Sequence, residues 1–149
     1  MLPQPRTGFR WVESAAGPSL VCEPLASVAP HFFTTRPWTL GSATSDRTSG
    51  WRQVAEVAGV DGSRLMRGRQ VHGASVAIFR RGSSPPGSEL PDADIFISDD
   101  PDVALAIQAA DCVPILIADP VRGAVAAAHA GWRGLAAHVP ERAVQAMTR

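Results

Sequence analysis

The segments ADIFISDD (residues 93–100), DVALAIQAADCVPILIADP (102–120) and GAVAAAHAGWRGL (123–135) decide the fold of this chain. Each mixes β-branched and apolar residues, with Asp, Pro or Gly at the breaks. Short apolar runs bounded by turn residues predict several strands of a buried sheet. The final stretch, AGWRGLAAHVPERAVQAMTR (130–149), turns helical, and Pro140 is tolerated there if it opens the first turn of a new helix.

The first half of the chain is less regular. The predicted elements are an extended arm or short hairpin over residues 1–30, a strand over PHFFTTR (30–36), a helix over WRQVAEVAGV (51–60) and a strand over QVHGASVAIFRR (70–81). The helix is capped by Thr48 or Ser49 and stopped by Gly59. Its apolar face comprises Trp51, Val54, Ala55 and Ala58. Strands and helices in mixed order, without repeated alternation, favour an α+β fold, a mixed sheet with flanking helices, over a doubly wound parallel fold.

Composition limits the possible partners. The chain has 149 residues, 45% of them hydrophobic, so we expect a single domain over residues 1–149. Lys plus Arg equals Asp plus Glu at 14 each, so the chain has no net charge that would attract nucleic acid or anionic lipid. The longest apolar run, 113–118, is too short to span a membrane, and the N-terminus lacks a secretory pattern. We therefore expect a cytoplasmic protein in which Cys22 and Cys112 are free thiols.

Three residues are candidate metal ligands: His72, Cys112 and His129. Their spacing is too long for a compact zinc finger and proves little, and each residue taken alone is more often structural than a ligand. Each, however, is predicted to lie at a break in regular structure. Two imidazoles and one thiolate make a three-ligand zinc site with one open position, and copper suits the same ligands.

Charged residues near these positions are candidates for substrate chemistry. Asp111 lies between apolar segments, where a buried carboxylate is costly unless it pairs or works in a site. Arg36, Arg69 and Arg133 flank the site segments, and their guanidinium groups suit a phosphate or carboxylate. Surface arginines are the alternative. The segment 129–134, HAGWRG, is consistent with backbone amides facing an anion, or equally with a tight structural turn.

Three motifs together are more specific than any one of them. RQVHG (69–73), AADCVP (109–114) and HAGWRG (129–134) resemble the YfiH family, also called the polyphenol oxidase or laccase-domain family, and HFFTTR (31–36) and DAD (92–94) match it in order. The resemblance implies a zinc-dependent purine nucleoside phosphorylase acting on adenosine, inosine and S-methyl-5'-thioadenosine, with adenosine deaminase activity. It also implies an α+β fold shared with cysteine-hydrolase-like toxins.

Carried over to this chain, the resemblance makes His72, Cys112 and His129 the metal ligands. Asp111 is then a candidate proton-transfer group beside Cys112, and Arg36 or Arg133 is a candidate phosphate ligand. The family name records a copper-dependent oxidase activity, and some members resemble factors that edit peptidoglycan precursors. A copper-dependent polyphenol oxidase is therefore the alternative function.

Two departures from the family pattern affect these expectations. After Arg36 the family continues with a Gly-Gly-Val-Ser loop and a Ser-Leu-Asn segment, whereas this chain has PWTLGSATSDRTSG (37–50). Family members also continue beyond the final helix, so we expect a YfiH-like domain that is incomplete at its C-terminus. An incomplete domain exposes apolar surface and predicts self-association. It also leaves open a third interpretation, a metal-binding remnant without turnover.

Overall fold

The structure is a computed structural model that describes residues 2–38, 40, 47–83 and 89–148. The chain forms two compact units, Met1–Gly62 and Ser63–Arg149. Residues 39 and 41–46 of the atypical segment 37–50 lie outside the described residues, as do residues 84–88. Within the described ranges, no helix has both the length and the apolar character needed to cross a membrane.

The first unit contains a small antiparallel sheet. Its strands are β1 (Phe9–Val12), β2 (Ser19–Cys22) and β3 (Phe33–Thr34), in the order β1-β2-β3. β1 and β2 form the hairpin predicted within residues 1–30. The predicted strand over residues 30–36 is confirmed only at Phe33–Thr34, because a 3-10 helix, Arg36–Trp38, begins two residues later. Proline fixes φ near the helical value, so Pro37 suits that helix better than a strand.

Two α-helices belong to the same unit, α1 (Glu23–Ala26) and α2 (Arg47–Ala58). In α2, Val54 and Ala55 are buried, as the helical spacing predicts. The chain leaves the helix at Gly59, whose φ of +74° is costly for other residues. The predicted caps Thr48 and Ser49 are wrong, because both residues lie inside the helix.

The second unit is built on a mixed sheet. Its strands are β4 (Leu65–Met66), β5 (Val76–Phe79), β6 (Ile95–Ser98), β7 (Ala104–Leu105), β8 (Val113–Asp119) and β9 (Ala124–Ala130). Among the described residues, four strands pair in the order β5-β6-β9-β8, and β4 and β7 form a parallel pair. β5 and β6 are parallel, whereas β9 is antiparallel to both β6 and β8. The fold is therefore α+β with a mixed sheet, as the sequence predicts.

Two helices follow the last strand, α3 (Trp132–Ala136) and α4 (Val139–Met147), and Pro140 lies in the first turn of α4 as predicted. The core contains Ile95 and Ile97 of β6, alternate alanines of β9, and Val139, Ala143 and Met147 of α4. Alanine side chains on β9 leave room for the helix to approach the sheet closely. This packing holds the end of β9 in place.

Candidate metal centre

His129 is the most firmly held of the three predicted ligands. It is the penultimate residue of β9, and only 4% of it is exposed. Its backbone N–H donates to the carbonyl oxygen of Asp94 at 2.8 Å, and its ring Nδ1 lies 2.8 Å from Asp94 Oδ1. The sequence placed His129 after a strand; it lies inside the strand, one residue before its end.

Asp94 is the polar centre of this region, and it is fully buried. Besides the His129 ring, its carboxylate accepts three backbone amides of the loop 71–73, from Val71 at 3.2 Å, His72 at 3.0 Å and Gly73 at 2.8 Å. Burial raises the pKa of Asp94, but hydrogen bonds from the His129 ring and the three amides outweigh burial and hold the pKa below its usual value. The carboxylate is therefore ionised at neutral pH.

His72 lies in the loop before β5, not at the start of the strand as the sequence predicted. The strand begins only at Val76, because residues 71–73 turn around the Asp94 carboxylate. His72 has a φ of +60°, a left-handed conformation that is uncommon for a non-glycine residue. Its ring centroid lies 4.8 Å from that of His129, with an interplanar angle of 75°. The exposed His72 ring therefore faces the buried one edge to face.

Cys112 is half-buried in the turn that leads into β8 and is a free thiol, as is Cys22. Its sulfur lies against Gly131, the residue that precedes α3. A Cβ added to Gly131 would lie 2.7 Å from Cys112 Sγ and 3.5 Å from His72 Cδ2. Only glycine leaves this space open. Cys112 and His72 thus border a position that a methyl group would fill.

The arrangement fits a metal ion. The ligand atoms of His72, Cys112 and His129 all lie within 4.8 Å of one another, and they are the one such group of His, Cys, Asp or Glu side chains among the described residues. Tetrahedral zinc with bonds of about 2.0–2.3 Å spaces its ligands about 3.3–3.8 Å apart. The longest separation must therefore shorten by roughly 1 Å, which rotation of the exposed His72 side chain can supply.

Side-chain clamps bring the two ligand-bearing loops together. Gln70 Nε2 donates to the carbonyl oxygen of Gln108, and the Gln108 N–H donates to Gln70 Oε1, both at 2.7 Å. One amide side chain thus ties the His72 loop to the segment that leads to Cys112. Arg69 also pairs with Asp92, its Nη2 lying 2.7 Å from Oδ2, and a backbone bridge joins the same two residues.

The remaining predicted site residues are Asp111, Arg133 and Arg36. Asp111 is exposed, so the expectation of a buried carboxylate there is wrong, and the buried carboxylate that contacts His129 is Asp94. Arg133 is exposed on α3, and its guanidinium lies 5.2 Å from the centre of the Trp132 ring. Arg36 belongs to the first unit, where it opens the 3-10 helix with an exposed side chain. The functional roles of Asp111, Arg36 and Arg133 stay predictions.

Sequence reasoning missed Asp94 and Gln70 as parts of this centre. Asp94 carried a signal, since an acidic residue directly before the apolar run of β6 is expensive to bury without partners. Gln70 carried none beyond its place beside His72, because a glutamine in a loop is usually solvated.

Comparison with known proteins identifies the relatives of the chain. The sequence profile of the family described as multi-copper polyphenol oxidoreductase laccase matches residues 40–149. The chain is 43% identical over 113 residues to a purine nucleoside phosphorylase of Streptomyces coelicolor, covering 72% of this chain and 46% of that protein. It is 36% identical over 148 residues to a purine nucleoside phosphorylase of Deinococcus radiodurans, covering 90% of this chain and 55% of that protein.

Solved structures of similar proteins also match the chain. The crystal structure of YlmD from Geobacillus stearothermophilus matches with a TM-score of 0.75 and 28% identity, over 91% of this chain and 57% of that one. The hypothetical protein YfiH of Bacillus licheniformis matches with the same TM-score and 25% identity, over 96% of this chain and 59% of that one. The chain thus spans about half the length of the relatives that it matches.

Proposed function

Because the chain belongs to the family described as multi-copper polyphenol oxidoreductase laccase, we propose that it carries the zinc site of a purine nucleoside phosphorylase. The observation that supports this most is the convergence of His72, Cys112 and His129, whose ligand atoms lie within 4.8 Å of one another. The names of the relatives support the reaction class.

The proposed reaction is phosphorolysis of adenosine, inosine or S-methyl-5'-thioadenosine. A phosphate oxygen forms a bond to C1' of the sugar while the bond from C1' to the purine nitrogen breaks. The base leaves with the electron pair and gains a proton, and the sugar 1-phosphate is the second product. Arg133 or Arg36 binds the phosphate through its guanidinium fork, and Asp111 moves the proton. The same site deaminates adenosine by adding water at C6 and releasing ammonia.

Zinc fits the ligand chemistry of the centre. A zinc ion held by two imidazoles and a thiolate supplies Lewis acidity at an open fourth position. The chain's own contribution is to hold these ligands, since Asp94 fixes the His129 ring and Gly131 leaves space beside the Cys112 sulfur. A metal held by His72, Cys112 and His129 would supply this Lewis acidity to both proposed reactions.

A copper-dependent polyphenol oxidase is the second candidate function. The family's description as a multi-copper polyphenol oxidoreductase favours it, and a site with two His and one Cys also suits copper. The third candidate is a metal-binding protein without turnover, which is the outcome expected if residues outside this chain complete the pocket.

One experiment separates the three candidates: elemental analysis of the purified chain together with an adenosine and phosphate assay. Zinc at one equivalent with phosphate-dependent release of adenine supports the phosphorylase. Copper with an optical signal and oxygen uptake on phenols supports the oxidase, and bound zinc without turnover supports the third candidate. Cys112→Ala removes a ligand and should abolish tight zinc binding, whereas Cys22→Ala, which alters the other free thiol, should retain it.

The remaining expectations concern partners and location. We propose small-molecule substrates, a cytoplasmic location and self-association. Large apolar side chains exposed on α3 and α4, among them Trp132 at 76%, Leu135 at 52% and Val144 at 50%, support self-association. A sedimentation profile of a clean monomer at all concentrations would contradict it.

A further inference from the structure

The buried carboxylate of Asp94 is the feature of the centre that no relative's name accounts for. It lies directly before β6, is fully excluded from solvent, and has all its contacts within the second unit. Both of its oxygens are used, Oδ1 by the His129 ring and the His72 amide, and Oδ2 by the amides of Val71 and Gly73.

The contact with His129 determines which ring nitrogen carries the proton. The Asp94 carboxylate already accepts three backbone N–H groups, so both of its oxygens act as acceptors. The His129 Nδ1 at 2.8 Å must therefore be the N–H that donates to Asp94 Oδ1. In the neutral ring the lone pair is then on Nε2, which becomes the nitrogen available to a metal.

The contacts with residues 71–73 hold the second ligand. Three successive backbone amides that point to one carboxylate wrap the loop around it. His72 adopts its left-handed φ of +60° within this loop, a conformation that persists only where its surroundings enforce it. The Asp94 carboxylate thus contacts two candidate ligands, His129 on a strand and His72 in a loop.

We propose that Asp94 is the positioning residue of the metal centre, which sets the tautomer of His129 and holds the backbone of His72 in its ligand conformation. Asp94 does not touch the substrate or the metal. It acts through two ligands at once, so that a single carboxylate couples the end of β9 to the loop before β5. The part of the proposal that concerns zinc affinity rests on the proposed metal site, and the part that concerns the tautomer does not.

The first test uses the unmodified chain, so no substitution can disturb its fold. Nitrogen NMR of the ring of His129, in a sample labelled with 15N at histidine and at slightly alkaline pH, reports which nitrogen carries the proton. We expect the Nδ1–H tautomer for His129, and a second, uniformly 15N-labelled sample should show slow hydrogen exchange of the amides of residues 71–73. A His129 ring with the proton on Nε2 overturns the proposal, whatever the activity of the protein.

The second test changes the carboxylate without changing its shape. In Asp94→Asn we expect the His129 ring to shift toward the Nε2–H tautomer and zinc affinity to fall about 10–100-fold, as for other residues that orient a metal ligand. The matched control is Asp99→Asn at the opposite end of β6, which loses hydrogen bonds to Arg80 and Arg81 but none to His129. It should retain the tautomer and lose less than about fivefold in zinc affinity.

The outcomes distinguish this proposal from the proposed function. A folded Asp94→Asn variant with an unchanged tautomer and wild-type zinc affinity refutes the positioning role, even if the chain is a phosphorylase. A changed tautomer in a chain that never cleaves nucleosides supports the positioning role and counts against the phosphorylase. If Asp94→Asn does not fold, the spectrum of the unmodified chain decides.

Discussion

The end of β9 and the loops at residues 69–73 and 108–112 position the three candidate ligands of the proposed metal centre by different means. His129 is fixed by regular pairing, because β9 lies between β6 and β8 and its register aligns His129 with Pro114. The loops have no regular pairing at His72 or Cys112. They are held by polar side chains that bond to backbone groups, chiefly Asp94 and Gln70.

This difference separates folding from site assembly. The strand region is specified by apolar burial, so changes there should cost stability first and metal binding second. The loop region is specified by a few hydrogen bonds near the surface, so changes there should cost metal binding while the unit stays folded. Each of the following substitutions should mainly change either stability or metal binding. They are given from the largest expected effect to the smallest.

The largest effect is expected in the strand region, from Ile95→Ala. Ile95 is fully buried in β6, where it pairs with Val76 and Ala128. Its truncation should lower the free energy of unfolding by about 2–5 kcal/mol, because transfer and cavity terms add. Denaturant unfolding measures the change. The control is Ile78→Ala on β5, which is 41% exposed and should cost much less; equal losses would show that burial does not set the stability of this region.

The next effect is expected where strand and loops meet, from Gly131→Ala. Gly131 has an ordinary φ of −77°, so an alanine strains no backbone there, but its Cβ would lie 2.7 Å from Cys112 Sγ. Zinc affinity should fall about tenfold or more, which corresponds to about 1.4 kcal/mol, while the chain remains folded. Chelator competition measures the affinity.

Gly62→Ala is the matched control for this change, because nothing lies within 4 Å of a Cβ at that position. It should bind zinc as the unmodified chain does. If Gly131→Ala retained full affinity, the space beside the sulfur would not be part of the metal site.

The strand region was largely predictable from the sequence. Apolar runs bounded by Asp, Pro and Gly located β6, β8 and β9, and helical spacing located the buried face of α2. These predictions succeed because burial imposes a periodicity that can be counted along the chain. The convergence of His72, Cys112 and His129 was also predictable, although from motif resemblance more than from spacing.

The loops were not predictable to the same degree. The strand expected to begin beside His72 begins at Val76, because Asp94 captures the amides of residues 71–73 from 21 to 23 positions away. The clamp between Gln70 and Gln108 spans 38 positions. Hydrogen bonds of such long range leave no local pattern, so the burial of Asp94 and the exposure of Asp111 emerged only from the structure.

A smaller effect is expected in the loop region from Gln70→Ala. The substitution removes both hydrogen bonds to the backbone of Gln108 and so loosens the His72 loop relative to Cys112. Water can take the place of these hydrogen bonds at an exposed position, so the free energy of unfolding should change by about 1 kcal/mol or less. Zinc affinity should fall by about threefold to tenfold. Gln145→Ala on α4, also exposed, is the control that should leave affinity unchanged. A loss of stability without a loss of zinc affinity would contradict the claim that hydrogen bonds in the loops serve metal binding more than folding.

The smallest effect is expected from Asp99→Asn, at the opposite end of β6 from Asp94. Asp99 accepts the Arg81 N–H at 2.8 Å and pairs with Arg80 at 3.1 Å, and the Arg81 hydrogen bond is the main cause that lowers the pKa of Asp99. A carboxyl whose pKa is lowered by folding stabilises the protein above its unfolded pKa of about 3.9. That contribution is lost as the pH falls through the folded value.

The substitution should therefore cost about 0.5 kcal/mol or less at neutral pH, because water screens this site, and the difference from the unmodified chain should vanish in acid. Thermal unfolding of both proteins across this range measures it, and zinc affinity should not change, since Asp99 holds a loop that carries no ligand.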